Sequence, residues 1–135
     1  MERSESEPAW DASDATDADR REAWEPLRTI QGQPLLGGEG RVRVRTQSAH
    51  GILLEVVFPA GVSSPMHQHE HDGHLYLLSG HLAGTLDGQE VALLPGATLL
   101  HPAGVAHEVV ALAESRWLEF KAPPSAPWKA SDDPV

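Results

Sequence analysis

Residues 61–80 read GVSSPMHQHEHDGHLYLLSG. Four histidines lie within eight positions of this stretch, on either side of a short acidic turn: His67, His69, His71 and His74. His67 and His69 are two residues apart, so on a β-strand both side chains point to the same face of the sheet. Burying several imidazoles close together costs free energy unless they share a partner, and a divalent metal is such a partner. The stretch therefore predicts a metal site inside a closed sheet.

The chain around this stretch consists of short β-type runs separated by glycine, proline and Asp-Gly turn signals. The runs are RVRVRT (41–46), GILLEVVF (51–58), HLYLLSG (74–80), HLAGTL (81–86), QEVALL (89–94), ATLLH (97–101), HEVVAL (107–112) and RWLEFK (116–121). Asp87 and Gly88 form a strong hairpin signal between two of them. No run has the period of a long amphipathic helix. Short strands at this spacing predict an all-β fold, either a sandwich or a small jelly-roll barrel.

A distant histidine is expected to reach the same cavity. His107 follows the turn PAGVA and is placed to begin a strand. In an antiparallel barrel this strand can lie beside the one that carries His67 and His69, with its side chain facing the interior. Because the chain contains no cysteine, imidazole and carboxylate are the groups available to hold a metal.

Length and charge restrict the classes of function. The 135 residues fit one domain with a modest core. A formal net charge of -10 disfavours nucleic acid or an anionic membrane as partner, which leaves a small-molecule substrate or another protein. No apolar run approaches the roughly 18 residues of a membrane span, and the first residues, MERSESEPAW, lack the features of a signal peptide. We therefore expect a cytoplasmic protein.

Composition divides the chain into three parts. Residues 1–25 contain nine carboxylates and three arginines, which predicts a disordered acidic arm, although Trp10 or Trp24 is able to dock on the domain. Residues 26–122 carry the strand pattern and form the predicted β-barrel. Residues 123–135 are too rich in proline for a central strand and form a C-terminal tail.

The spacing of glycines and histidines resembles that of the cupin family in two motifs. The first cupin motif is written G-x5-H-x-H-x(3 or 4)-E-x6-G, and its register is matched by Gly61, His67, His69 and Gly80. The second, G-x5-P-x-G-x2-H-x3-N, has Ala111 at the asparagine position and is otherwise matched by Gly96, Pro102, Gly104 and His107. The resemblance covers roughly residues 40–122. It implies the cupin double-stranded β-helix, a jelly-roll barrel with a metal near one mouth.

The glutamate of the first motif is missing, and two ways of counting place different residues there. Counting back from Gly80 gives Gly73, which has no side chain to bind a metal. Counting forward from His69 gives His74, and a bulge in the turn EHDG would reconcile the two counts. We therefore expect an all-histidine metal site made of His67, His69, His74 and His107. His71 is the reserve for the third ligand, His74.

Such a site would hold one divalent transition metal. Neutral imidazole suits iron, manganese, nickel, copper or zinc, so ligand type does not select among them. Without a carboxylate ligand the charge of the ion stays uncompensated, which strengthens it as a Lewis acid or as a binder of enolate and oxygen ligands.

The resemblance implies three alternative functions. The first is a dioxygenase acting on an enolisable or anionic substrate, as in all-histidine cupins. The second is an isomerase, cyclase or lyase, because HQHEHDGHLYLLSG and WLEFKAPP resemble the short cupins of pectin breakdown. Gly73 in place of their polar ligand, and the lack of an arginine after Pro124, depart from that pattern. The third is a sensor of a ligand or a metal without turnover.

Three residues are catalytic candidates. His101 precedes Pro102 on a predicted strand, where it either faces the pocket as a general acid or base or packs in the core. Glu119 stands near the position of the catalytic aspartate in the pectin-related cupins that the sequence resembles. Tyr76, on the strand that follows the histidines, is the third candidate.

Two further expectations concern the surface. RVRVRT or RWLEFK offers an edge strand through which two barrels are expected to pair as a homodimer. Arg41, Arg43 and Arg45 share one face of their strand, and they either line a cavity for an anionic substrate or face solvent.

Overall fold

The computed structural model describes residues 23–122, and this part of the chain contains nine β-strands and no helix. The strands are β1 (Glu25–Leu27), β2 (Thr29–Ile30), β3 (Gln33–Pro34), β4 (Gly40–Ser48), β5 (Gly51–Phe58), β6 (Asp72–Leu86), β7 (Gln89–Leu93), β8 (Thr98–His101) and β9 (His107–Ala122). The all-β prediction is confirmed. The predicted runs 74–80 and 81–86 form the single strand β6, and the runs 107–112 and 116–121 form the single strand β9.

Seven strands form one antiparallel sheet that closes into the predicted jelly-roll barrel. Their order is β1-β4-β5-β9-β6-β7, with β8 paired to β6, while β2 and β3 form a separate hairpin. The long strands β6 and β9 pair from Asp72 opposite Ala122 to Leu86 opposite His107, and register shifts bend both strands in the middle. Gly80 lies in this bend with a φ of 99°, and a side chain there would overlap the backbone of β9. The bend therefore requires glycine.

Alternate residues of β9 point into the barrel. Trp117 is buried among apolar side chains, and its ring packs edge-on against Phe58 at a centroid distance of 4.9 Å. Two positions along, Glu119 is buried, and two positions further Lys121 is also buried. Since strand residues alternate between faces, these three side chains share the interior face. The interior therefore changes from apolar at one end of the barrel to polar at the other.

Of the two runs expected to form a dimer edge, one lies wholly inside the sheet and the other only in part. RVRVRT belongs to β4, which pairs with β1 on one side and β5 on the other. RWLEFK belongs to β9, which pairs with β5 and β6. Within residues 23–122, RWLEFK has a strand on both sides, so this predicted pairing edge is wrong. In RVRVRT, β1 covers only Arg41 and Val42, so the rest of this run stays a candidate edge. The homodimer itself stays a prediction, which a monomer mass in light scattering would contradict.

Arg43 and Arg45 of β4 contact a buried carboxylate, and none of the three arginines of this strand lines the histidine cavity. Arg43 and Arg45 both contact Oε1 of Glu55, at 3.0 and 2.9 Å, and Arg116 of β9 contacts Oε2 at 2.9 Å. The ring of Trp24 lies 4.5 Å from the guanidinium carbon of Arg43. Three guanidinium groups therefore surround one buried carboxylate on the outer face of the sheet.

The predicted arm and tail lie mostly outside the described residues. Of the arm, residues 23–25 are described, and Glu25 pairs with Val42 at the start of β1. Trp24 docks on the domain through its contacts with the arginines. The tail at residues 123–135 lies outside the described range. No helix within residues 23–122 has the length and hydropathy to cross a membrane.

Candidate metal centre

Three of the predicted ligands come together at the polar end of the barrel. His67 and His69 lie in the loop between β5 and β6, and His107 is the first residue of β9. One potential ligand atom from each of the three lies within 4.8 Å of the other two. The backbones of His67 and His107 hydrogen-bond to each other in both directions, at 3.0 and 2.8 Å. The loop and the strand are thus held together, and the three imidazoles converge as a metal requires.

Backbone hydrogen bonds orient two of these imidazoles. Nδ1 of His67 lies 2.7 Å from the carbonyl oxygen of Pro65, and Nδ1 of His107 lies 3.1 Å from that of Val105. Because a carbonyl oxygen only accepts, each Nδ1 carries the proton and donates it. Nε2 of both rings therefore keeps its lone pair, which is the tautomer that a metal ligand needs.

A residue that sequence reasoning missed holds the third imidazole. Nε2 of Gln31 lies 3.0 Å from Nδ1 of His69. Gln31 and Gly32 form the two-residue turn between β2 and β3, with φ values of 52° and 78°, so the hairpin carries the amide to the histidines. Turning this amide around would present its oxygen to Nδ1 and leave Nε2 of His69 for a metal. The Gln-Gly pair was a weak signal, because Asn or Asp is usual at that turn position.

Burial keeps two of the three imidazoles neutral. It is the main cause that lowers the pKa of His69 to about 2, with Lys121 as the next cause. Burial likewise lowers the pKa of His107 to about 3, with His101 as the next cause. A metal binds neutral imidazole, so near pH 7 these ligands need to lose no proton.

The predicted catalytic residue His101 lies beside this group. Its ring stacks on that of His107, with centroids 3.7 Å apart and planes inclined by 15°. Burial lowers the pKa of His101, and its buried Nε2 makes no hydrogen bond to any residue from 23 to 122. Since buried polar atoms normally have a partner, this atom is suited to bind an ion or a ligand.

A cavity of about 20 Å³ lies among these side chains. Its polar lining comes from His67, His101, His107 and Glu119, together with Ser64. This volume accommodates one water molecule or one ion. Among the histidines that line it, His67 is half-buried, whereas His101 and His107 are buried.

His74 does not join the cluster, and the prediction that it is the third ligand is wrong. Its neighbours on β6, Gly73 and Leu75, are buried, whereas His74 is exposed. Successive strand residues point to opposite faces, so His74 lies on the outside of the barrel. Counting back from Gly80 was the correct register. Tyr76, which is 46% exposed, shares this outer face and does not line the histidine cavity, so its catalytic role stays a prediction.

The reserve ligand His71 lies next to the cluster. Its ring is stacked with that of His69, with centroids 5.5 Å apart and planes inclined by 25°. Burial, followed by the charge of Lys121, lowers its pKa. His71 is not among the three residues whose ligand atoms converge, so its role as a further ligand stays a prediction.

The carboxylate of Glu119 lies beside Gly73, the position that counting back from Gly80 gives for the missing cupin glutamate. A Cβ atom on Gly73 would lie 3.0 Å from Oε2 of Glu119. Nε1 of Trp117 donates a hydrogen bond of 3.1 Å to Oε1 of the same carboxylate. Burial acts to raise the pKa of Glu119, but the charges of Lys121 and His101 outweigh it and the pKa is lowered. An ionised carboxylate therefore lines the histidine cavity, where sequence reasoning had placed a catalytic candidate.

Lys121 is a second residue that sequence reasoning missed. It is 0% exposed, with Nζ 3.7 Å from Oε2 of Glu119 and 3.4 Å from Nε2 of His69. In the run RWLEFK, a role was expected for Glu119 but none for this lysine. Its alternation with Trp117 and Glu119 was the signal that could have placed this lysine inside.

Comparison with known proteins agrees with this architecture. The cupin domain model matches residues 54–120. KdgF from Halomonas sp. is 23% identical, with a TM-score of 0.65 over 79% of this chain and 91% of that chain. A predicted oxalate decarboxylase from Thermotoga maritima is 16% identical, with a TM-score of 0.66 over 78% and 96%. The polyketide cyclase RemF from Streptomyces resistomycificus is 24% identical, with a TM-score of 0.57 over 70% and 75%.

Among curated proteins, no sequence matches this chain. Identities this low between the chain and the solved structures show a shared fold. The segment matched by the cupin model runs from β5 to β9 and includes all three converging histidines. Two cupin motifs, a jelly-roll barrel and a matching family model agree, and the chain therefore belongs to the cupin superfamily.

Proposed function

We propose that this protein is a metal-dependent enzyme that transfers a proton on a small enolisable or anionic substrate, as an isomerase, cyclase or lyase does. The observation that carries the proposal is that an ionised carboxylate, Glu119, lines the same cavity as His67 and His107. A metal site and a base at one cavity are the two groups needed to remove a proton next to a carbonyl group.

The residues present fit a divalent ion, with the histidines as its ligands and Glu119 as the base. A metal held by His67, His69 and His107 would act as a Lewis acid towards a carbonyl or carboxylate oxygen. Glu119, ionised at neutral pH, would accept the proton that the substrate releases. The hydrogen bond from Trp117 fixes the direction of this carboxylate.

The comparisons support an enzyme more than a sensor. Their names include a polyketide cyclase and a predicted oxalate decarboxylase. A sensor of a ligand or a metal would bind without changing a substrate, so turnover separates the two proposals.

A dioxygenase is the second candidate function. What favours it is the donor set, since the converging ligand atoms come from three histidines and none from a carboxylate. Such a neutral set leaves the charge of a redox metal available to an enolate and to oxygen. Oxygen consumption distinguishes this reaction from proton transfer.

Replacing the proposed base tests the function. We expect Glu119→Gln to lower the rate of proton exchange by about 100-fold or more at saturating metal, because an amide does not accept the proton. The measurement is NMR of deuterium exchange into small 2-oxo acids in D₂O, with zinc, nickel, manganese, iron(II) and copper(II) tested in turn.

The matched control is Glu90→Gln, which neutralises an exposed carboxylate on β7 and should keep the wild-type rate. Equal rates in wild type and Glu119→Gln would refute the base. Oxygen uptake by the iron-loaded protein without deuterium exchange would select the dioxygenase instead.

A further inference from the structure

Lys121 places a buried positive charge beside the candidate metal centre. Its side chain is 0% exposed, and Nζ lies 3.4 Å from Nε2 of His69, the atom that would bind a metal. Burying an ammonium group is costly unless other groups compensate the charge. Glu119 compensates it in part, with Oε2 at 3.7 Å from Nζ.

This position creates an electrostatic conflict with a bound metal. A divalent ion at His69 would lie close to the ammonium of Lys121, and like charges repel more strongly inside a protein than in water. Lys121 and Glu119 carry single charges of opposite sign, and the imidazoles are neutral ligands. With a divalent ion bound, the centre would therefore carry about two uncompensated positive charges, those of the ion. Because a buried net charge is costly, a negatively charged ligand would stabilise it.

Because Gly73 has no side chain, residues 23–122 offer no carboxylate ligand at this position, and the negative charge is left to a bound ligand. Gly73 lies between Lys121 and His101, paired with each of them across the sheet. A carboxylate ligand at this position would have balanced part of the charge of the ion. The nearest carboxylate, Glu119, is instead directed by Trp117 and paired with Lys121.

We propose that Lys121 makes the centre bind a metal and an oxyanion as a pair. The carboxylate or enolate oxygens of a small substrate would be attracted by both the ion and the ammonium, so that each ligand strengthens the binding of the other. This inference rests on the proposed function and assigns its substrate class as a small carboxylate. It also assigns Lys121 as the residue that selects for the negative charge.

The test measures cobalt(II) affinity by calorimetry, with and without sodium formate, against sodium chloride at equal ionic strength. In the wild-type protein we expect formate to raise the cobalt affinity about tenfold. In Lys121→Met we expect cobalt alone to bind at least about tenfold more tightly, because the repulsion is gone. Formate should then have no effect beyond that of chloride.

Glu119→Gln should change cobalt affinity in the opposite direction. It leaves the ammonium of Lys121 without its counter-charge, so cobalt alone should bind at least about tenfold more weakly than in wild type. A role of these residues in folding alone would not give changes of opposite sign.

Two further variants guard against misfolding and general charge effects. The double variant Glu119→Gln/Lys121→Met removes both buried charges, and it should bind cobalt about as wild type does while losing the formate effect. Arg28→Met removes an exposed cation with 69% of its side chain accessible, and it should behave as wild type in both titrations.

The outcomes separate this inference from the proposed function. Normal cobalt binding with the same formate effect in wild type and Lys121→Met would overturn the role of Lys121 and leave the metal site standing. If the wild-type protein bound no cobalt, the proposed function would fail and this inference with it.

Discussion

The His107→Ala variant will bind cobalt(II) at least about 100-fold more weakly than the wild-type protein, since loss even of a group that only supports a metal ligand typically costs 10–100-fold. His107 supplies one of the three converging ligand atoms, and an open tetrahedral metal site uses three protein ligands, of which this variant keeps two. Calorimetry, together with elemental analysis of protein purified without an affinity tag, measures the change. Near-wild-type affinity in this variant would show that the three histidines do not form the site.

The matched control is His74→Ala, which removes a histidine of the same motif on the outer face of β6. This variant should keep the wild-type affinity, because its imidazole points away from the cavity. An equal loss in both variants would place His74 at the metal and would contradict the barrel register seen here. Thermal unfolding of both variants shows whether either change reflects loss of the fold.

The Glu55→Gln variant will be less stable than the wild-type protein by about 2–3 kcal/mol. The change leaves Arg43, Arg45 and Arg116 close together without the carboxylate that separates their charges. Breaking a fully buried ion pair typically costs about 3–5 kcal/mol. We expect less here because solvent screens the partly exposed side chains of Arg45 and Arg116, at 33% and 45%. Chemical denaturation measures the difference.

The control for this variant is Glu39→Gln, which breaks the exposed pair with Arg28 and should cost no more than about 0.5 kcal/mol. If both variants lost equal stability, the buried position of Glu55 would not matter.

The effect of Glu55 also depends on pH. Burial acts to raise the pKa of Glu55, but the hydrogen bonds from Arg43 and Arg45 outweigh it, and the pKa lies below its ordinary 4.5. A carboxyl whose pKa is lowered by folding stabilises the protein fully above its unfolded pKa and loses that effect as the pH falls through the lowered value. The stability gap between wild type and Glu55→Gln should therefore narrow on acidification below pH 4.5. A gap that widens there would contradict the ion cluster.

Local pattern predicted most of the barrel. β5 has the bounds of the apolar run at residues 51–58, and Asp87 and Gly88 form the turn between β6 and β7. Both features are decided within a few neighbouring residues, by alternation of side chains and by backbone preference at the turn. The short strands β1 to β3 were missed, because two or three residues are too few to show a period.

The site was predicted in part. His67, His69 and His107 were placed correctly by motif spacing, and Glu119 was found through its likeness to a catalytic position. His74 was placed wrongly because a shift of one residue moves a side chain to the other face of a strand. Counting along the chain from two different residues could not decide which face it occupied.

The sequence by itself determined the all-β class, the longer strands and, through the cupin motif spacing, three of the histidines that converge, since these follow from spacing along one chain. Only the tertiary structure decided that Gly73 faces inward, that Gln31 holds His69, and that Lys121 lies against the same ring. These contacts join residues 38 and 52 positions apart. They depend on the pairing register of distant strands, which the burial of the whole barrel selects and no local pattern encodes.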